Sequence, residues 1–292
     1  MASLSRILVP VEFSPRCEMA ARHAKALAAH FHAEIALLHV VVPVVAYGAP
    51  EALAYSAALD VAEDRVSLAK AHLDSFLPGE FGLPTVERII RQGDPAQEIV
   101  DCARERQSDL IVMPTHGYGP FRRFLLGSVT AKVLHDASCA VWTGPHLQKA
   151  PADDEIHLHK IVCGVDLGPE TTAVLEWGGD LARDFNGQLT IVHAIPESTV
   201  HLEGVYFEPD LREQIADAAR IRIEQLMTAA RAQGDVVFEV GDPADALAAA
   251  ASRLHADVVV IGRRGHHTGV LGRLRTHSYS IVREAPCPVA AV

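Results

Sequence analysis

Glycines, a helix start and a preceding apolar run occur together in one stretch of the sequence. The apolar run Leu110–Met113 is followed by Gly117 and then by Gly127-Ser128, where a helix is predicted to begin. Glycine lets backbone N–H groups approach a ligand closely. The first N–H groups of a helix have no acceptor inside the helix and form the positive end of its dipole. This combination predicts an anion site, most simply a phosphate site.

A second version of this stretch lies in the C-terminal half of the chain. Gly262 and Gly265 follow an apolar run there, and Arg275-Thr276 stands at the next predicted helix start. Because Arg275 replaces the glycine found at position 127, its side chain would occupy the phosphate space or reach across it. The first half is therefore predicted to hold the intact site. For the second half two alternatives stay open, a closed site or one in which Arg275 clamps an anion.

The two stretches belong to a duplicated unit of domain size. Asp109–Met113 matches Asp257–Ile261 at an offset of 148 positions, whereas Ile7–Glu12 matches Ile161–Asp166 at 154. The first unit thus carries six extra residues, and a repeat this long indicates a duplicated domain, not a solenoid. The predicted organisation is a domain at residues 1–146, a linker at 147–158 and a second domain at 159–292.

Each unit alternates continuous apolar runs with segments of helical periodicity. Such alternation predicts a parallel sheet that is covered by helices on both faces. In open sheets of this kind, ligands bind beyond the carboxyl ends of the strands. The predicted strands of the first unit are Arg6–Val11, Glu34–Val41, Val86–Arg91, Leu110–Met113 and Ala140–Thr143, and the predicted helices include one capped by Ser14, Glu51–Phe76, one opened by Asp94-Pro95, and Ser128–His135.

Composition and local motifs exclude several classes of protein. The net charge of −11 gives no basic excess of the kind that a general nucleic-acid binder shows, and no apolar run is long enough to cross a membrane. Five scattered cysteines without a CxxC pair favour reduced thiols and a cytoplasmic protein. The absence of a Gly-Lys pair excludes a Walker A loop. A dinucleotide fingerprint fails because Arg122 stands at its third glycine.

At the glycine motif the chain resembles the universal stress protein family in its tandem form. ATP-binding members of that family carry Gly-x2-Gly-x9-Gly-(Ser/Thr) after the fourth strand, and this chain keeps everything but the first glycine, which is Pro114. The opening Ile7–Ser14 and the ending Ala285–Val289 also look like the family. The resemblance implies an α/β fold with two tandem doubly wound domains, each a five-stranded parallel sheet in the order 3-2-1-4-5, of the adenine nucleotide alpha hydrolase-like type.

The resemblance also implies which residues bind a nucleotide. An acid at the end of the first strand, Glu12 or Asp166, would contact the nucleoside, and Val40 would pack near adenine. Gly127 and Ser128 would hold phosphates. The predicted ATP site of the first domain, with or without Mg²⁺, comprises Pro10, Val11, Glu12, Val40, Met113, Pro114, Gly117, Gly127, Ser128 and Val129, and its altered counterpart comprises Asp166, Ala194, Gly262, Gly265, Arg275 and Thr276.

Three functions stay open at this point. The first is a stress-response regulator that binds ATP and hydrolyses it slowly at most. The second is an enzyme that turns over ATP, and the third is an interaction scaffold with vestigial sites. No nucleophile–base pair or metal-ligand cluster can be recognised in the sequence, so no catalytic residue and no metal site are predicted. The expected partner is an adenine nucleotide, with neither nucleic acid nor membrane. The two halves are expected to form a pseudo-dimer through their fifth strands, and pairing of two chains stays open.

Overall fold

The computed structural model describes residues 4–43, 51–80, 86–115, 126–144, 147, 155–195, 209–263 and 276–292, with only the backbone at 51–62, 209–213 and 276. Strands and helices alternate along the first half and again along the second. The first half contains β1 Arg6–Pro10, α1 Pro15–Phe31, β2 Glu34–Val41, α2 Glu51–Asp74, β3 Val86–Gln92, α3 Pro95–Glu105, β4 Leu110–Val112, α4 Ser128–Asp136 and β5 Ala140–Thr143. The second contains β6 Lys160–Gly164, α5 Thr171–Asp184, β7 Gln188–Ile195, α6 Pro209–Ala229, β8 Asp235–Val240, α7 Pro243–Leu254, β9 Val258–Ile261, α8 Thr276–Glu284 and β10 Val289–Ala291.

The described strands form one sheet in the order β3-β2-β1-β4-β5-β10-β9-β6-β7-β8. All neighbours within each half are parallel, so the predicted order 3-2-1-4-5 is confirmed in both halves. The two halves meet where β5 and β10 pair antiparallel, with Val289 opposite Thr143. Each half therefore contacts the other through its fifth strand. Because β1 and β4 are parallel neighbours, their carboxyl ends lie at the same edge of the sheet.

Side chains of the central strands alternate between two apolar layers. Ile7 and Val9 pack into one layer with α1, and Leu8 packs into the other with α3 and α4. All three are buried, as expected for a parallel strand that is covered on both faces. Packing on both faces therefore holds β1 in place and positions the residues that follow it.

Helix starts follow the capping signals of the sequence. Ser14 and Asp94 each accept a hydrogen bond from a backbone N–H of the first turn of their helix, and each precedes a proline at the first helical position. The observed bounds differ by one or two residues from the predicted ones. Strands β1 and β4, for example, end one residue earlier, a difference usual at frayed ends.

A repeated carboxylate fixes the amino end of the central strand in each half. Asp109 Oδ2 accepts hydrogen bonds from the N–H groups of Ser5, at 2.7 Å, and Arg6, at 2.9 Å. Asp257 Oδ2 does the same for His159 and Lys160. Asp109 thus lies at the sheet edge opposite the predicted site. Among the described helices, none is both long and apolar enough to cross a membrane.

Candidate functional site

The chain turns sharply where it leaves β1. Val11 is buried and its N–H donates to the Leu38 carbonyl at 2.8 Å, so the parallel pairing with β2 continues one residue past the strand. Phe13 then adopts a φ of 62°, a left-handed conformation that reverses the chain into α1. The Ser14 hydroxyl donates to Glu12 Oε1 at 3.0 Å. This turn holds the Glu12 carboxylate, half-buried, beside the carboxyl end of β1.

A histidine on β2 supports this turn. His39 Nδ1 lies 2.8 Å from the Val11 carbonyl oxygen, and because a carbonyl only accepts, Nδ1 carries the proton. Its ring also lies 4.5 Å from the ring of Phe13. His193 repeats the bond to the Val165 carbonyl in the second half, also at 2.8 Å. Both histidines are therefore structural groups, because the Nδ1 atom of each holds the loop after the central strand.

Two hydrogen bonds fasten the start of α4 to the end of β4. The Thr130 hydroxyl, which is buried, donates to the Pro114 carbonyl at 3.0 Å. The Gly127 N–H donates to the Thr115 carbonyl at 2.8 Å. Met113, itself buried, continues the sheet by donating its N–H to the Trp142 carbonyl at 3.1 Å. The first turn of α4 is therefore held at the carboxyl edge of the sheet.

The register of the sheet relates this helix start to the turn after β1. Leu8 pairs with Ile111, so continuing the same parallel register brings Pro10 level with Met113. Val40 lies on the neighbouring strand β2 and, like Val129 of α4, packs partly buried against the apolar layer beneath. The structure therefore gathers Pro10, Val11, Glu12, Val40, Met113, Pro114, Gly127, Ser128 and Val129 at or next to one sheet edge.

The N-terminus of α4 differs from the other helix starts described in the first half. Ser14 caps α1 and Asp94 caps α3 with a side-chain oxygen, whereas the N-cap of α4 is Gly127, which supplies no side-chain acceptor. Ser128, the first residue of the helix, is exposed. The positive end of the dipole is thus offered without a protein acceptor in the cap position, as in anion-binding helices.

The second half repeats part of this arrangement. The Ser278 hydroxyl donates to the Gly262 carbonyl at 3.2 Å, the counterpart of the bond from Thr130. Asp166 is exposed, and its Oδ1 accepts from the Gly168 N–H at 2.8 Å. Ala194 lies half-buried near the end of β7, and Thr276 begins the backbone of α8. The predicted residues Gly117, Gly265 and Arg275 lie outside the described residues.

The hydroxyls of Thr130 and Ser278 were not among the residues predicted from the sequence. The signal that could have found them is their place in the repeat, since both are hydroxyl residues at the third position of the fourth helix of their half. Their bonds join residues sixteen positions apart and repeat in both halves. A polar side chain kept at the same place in two copies marks a shared structural requirement of the loop.

The thiols of the chain do not form part of the site chemistry. Burial raises the pKa of Cys17 to about 11, that of Cys139 to about 11 and that of Cys287 to about 12. A thiol with such a pKa is almost entirely protonated at neutral pH and is a poor nucleophile. Cys17, Cys139 and Cys287 are therefore packed thiols and not reactive ones.

The fold and the arrangement of residues at the carboxyl edge of the sheet together define the class of protein. Parallel strands covered on both faces, with a helix start held beyond the carboxyl end of β4, are the arrangement of doubly wound α/β proteins. The sequence profile of the universal stress protein family matches residues 4–143 and again residues 157–292. The chain belongs to the universal stress protein family, with two copies of the family's domain in tandem.

Individual relatives agree with this assignment. A universal stress protein of Thermus aquaticus is 33% identical over 113 residues, which are 38% of this chain and 81% of that protein. A universal stress protein of Mycolicibacterium smegmatis is 28% identical over 298 residues and covers 98% of this chain and 96% of its own length. The crystal structure of a universal stress protein from Archaeoglobus fulgidus is 20% identical, with a TM-score of 0.66, and covers 99% of this chain and 96% of its own. The last similarity supports the fold over both halves.

Proposed function

We propose that the protein is a stress-response regulator that binds ATP in its first half. The observation that carries the proposal is the start of α4, where Gly127 supplies no side-chain cap and is tied to the end of β4. An uncapped helix start at the carboxyl edge of a parallel sheet favours a phosphate group, because its N–H donors and dipole both attract negative charge.

The nucleoside end of the ligand is assigned to the turn after β1. Glu12 is a carboxylate acceptor for ribose hydroxyl groups, and the Ser14 hydroxyl holds one of its oxygens in place. Val40 offers an apolar surface for the adenine ring. The spacing from position 114 to Ser128 matches the family motif and supports the placement of the polyphosphate tail at this loop and the start of α4. Mg²⁺, when bound with ATP, would neutralise part of the charge of that tail.

Calorimetric titration of the full chain with ATP and MgCl₂ tests the proposal. We expect about one nucleotide per chain and a weaker response to AMP, which brings fewer phosphate oxygens to the helix start. Gly127→Arg should abolish the binding heat, because its side chain enters the phosphate space. The backbone tolerates this change, since Gly127 has a φ of −62° and a ψ of 143°, angles that any residue adopts.

Gly79→Arg is the matched control. It adds the same side chain at a glycine of the first half whose Cβ position meets nothing within 4 Å, so ATP binding should be unchanged. Two equal sites per chain that both survive Gly127→Arg would contradict the proposal, and so would the absence of any binding to the wild type. Phosphate release measured in the same samples separates a binding protein, with at most slow hydrolysis, from an enzyme with steady turnover.

A further inference from the structure

The space beside Gly262, where a side chain would otherwise lie, is occupied by an acidic side chain from another element of the second half. Gly262 follows β9, and a Cβ built on it would lie 2.8 Å from Oε2 and 3.1 Å from Cβ of Glu170. Distances under 3.0 Å are not found for real Cβ atoms, so the Glu170 carboxylate uses the space that the glycine leaves. Glu170 is the N-cap residue of α5, on the loop that follows β6.

The same two positions carry different residues in the first half. The repeat aligns Gly262 with Pro114 and Glu170 with Arg16, so a glycine–glutamate pair replaces a proline–arginine pair. Phe13 and Leu167, with φ values of 62° and 63°, show that both loops make the same left-handed turn at this residue. The aligned positions therefore carry opposite charges, and the glycine at position 262 leaves room for the Glu170 carboxylate beside the backbone.

We propose that the Glu170 carboxylate excludes phosphate groups from the second half and thereby restricts nucleotide binding to the first. Gly262 is the first glycine of the phosphate motif in that half, a position where the missing side chain would let a ligand approach the backbone closely. A carboxylate there occupies the approach and repels a second anion at short range, where charges interact strongly. This inference rests on the proposed function, because it concerns the same type of site.

The loop helps to hold Glu170 in this place. Helix α5 starts at Thr171, two positions later in the repeat than α1, which starts at Pro15. Residue 170 therefore lies in a turn, with a φ of −82° and a ψ of −10°, and the Thr171 N–H bonds to the Gly168 carbonyl at 3.1 Å. Asp166, at the end of β6, accepts from the same Gly168 through its side chain. Two carboxylates are thus presented on one short loop.

The test uses the full chain with the first site disabled by Gly127→Arg. In that background we expect no ATP binding with Glu170 in place. Glu170→Ala should give binding of about one ATP per chain, since a like charge is removed from the phosphate space. Glu170→Gln, which keeps the size of the side chain, should also gain binding if its charge is the obstacle. The glutamine variant also keeps the test possible if the alanine variant does not fold.

Glu176→Ala is the matched control, because it removes an exposed glutamate from the same helix and should give no gain. Absence of a gain in both folded Glu170 variants would overturn the inference, as would a second site opened by Arg275→Gly with Glu170 intact. A wild type that binds no ATP would refute the proposed function alone. A gain on Glu170→Ala would still support the inference in that case. A wild type with one site and no gain in the variants would refute only the inference.

Discussion

Replacing Thr130 by valine removes one of the two hydrogen bonds that tie α4 to the end of β4. Valine has nearly the same shape, so the change deletes a hydroxyl without opening a cavity. The Thr130 side chain is 3% exposed and its hydroxyl lies 3.0 Å from the Pro114 carbonyl oxygen. Losing the bond and leaving the carbonyl desolvated should lower the free energy of unfolding by about 1–3 kcal/mol.

Urea unfolding of the wild type and of Thr130→Val measures this loss, and calorimetry on the same samples measures ATP affinity. We expect both to fall, because one of the two hydrogen bonds that hold the first turn of α4 at the sheet edge is lost. Thr130→Ser keeps the hydroxyl and should retain the affinity for ATP. Ser278→Ala in the second half removes a longer bond of 3.2 Å from a half-buried side chain, so its cost should be smaller and ATP affinity should be unchanged.

Two results would refute this reasoning. The first is a Thr130→Val variant within about 0.5 kcal/mol of the wild type, which is the range of ordinary surface substitutions. The second is a serine variant that loses as much ATP affinity as the valine variant, since the hydroxyl would then not be the group that matters. Either result would mean that the start of α4 is held by other contacts.

Two further predictions concern the frame around the site. Asp109→Ala should lower the free energy of unfolding by about 1–3 kcal/mol and leave ATP affinity unchanged in titration, because its bonds to Ser5 and Arg6 lie at the opposite sheet edge. The hydrogen bond from the Gln97 N–H, and then Lys132, lower the pKa of Asp94. Its contribution to stability is therefore present above about pH 4, the ordinary pKa of an aspartate, and is lost as the pH falls through the lowered value. Asp94→Asn should lose less stability than the wild type in urea unfolding as the pH is lowered from about 5 to 3.

The sequence predicted the sheet and the helix starts because these depend on local patterns. Leu110–Val112 and Val258–Ile261 are short apolar runs, each preceded by an aspartate, and such runs are typical of buried strands. Each of the pairs Ser14-Pro15 and Asp94-Pro95 indicates a helix start, because an N-cap residue is followed directly by proline at the first helical position. The parallel class followed from the repeated alternation, and the strand order followed from the family resemblance.

The contacts that shape the two sites were not predictable in the same way. The bond from Thr130 to Pro114 and the approach of Glu170 to Gly262 each join separate elements, and their geometry depends on how those elements pack. Neither residue type by itself indicates such a contact. The sequence led us to expect that Arg275 alters the second site, whereas the proposal made from the structure rests on the contact between Glu170 and Gly262.

The duplication within one chain explains how the two halves could diverge. The Tyr279 hydroxyl donates at 2.9 Å to the carbonyl of Ala131, the residue at its own position in the other half, 148 residues earlier. A residue that contacts its own counterpart lies on the pseudo-twofold axis between the halves. In a symmetric dimer of identical domains both positions would be tyrosine, and two such rings would compete for one place on the axis. A single chain can place tyrosine on one side and alanine on the other.

The same freedom allows Glu170 to face Gly262 in one half while Arg16 and Pro114 stand at these positions in the other. A nucleotide site could therefore be lost in the second half without being lost in the first.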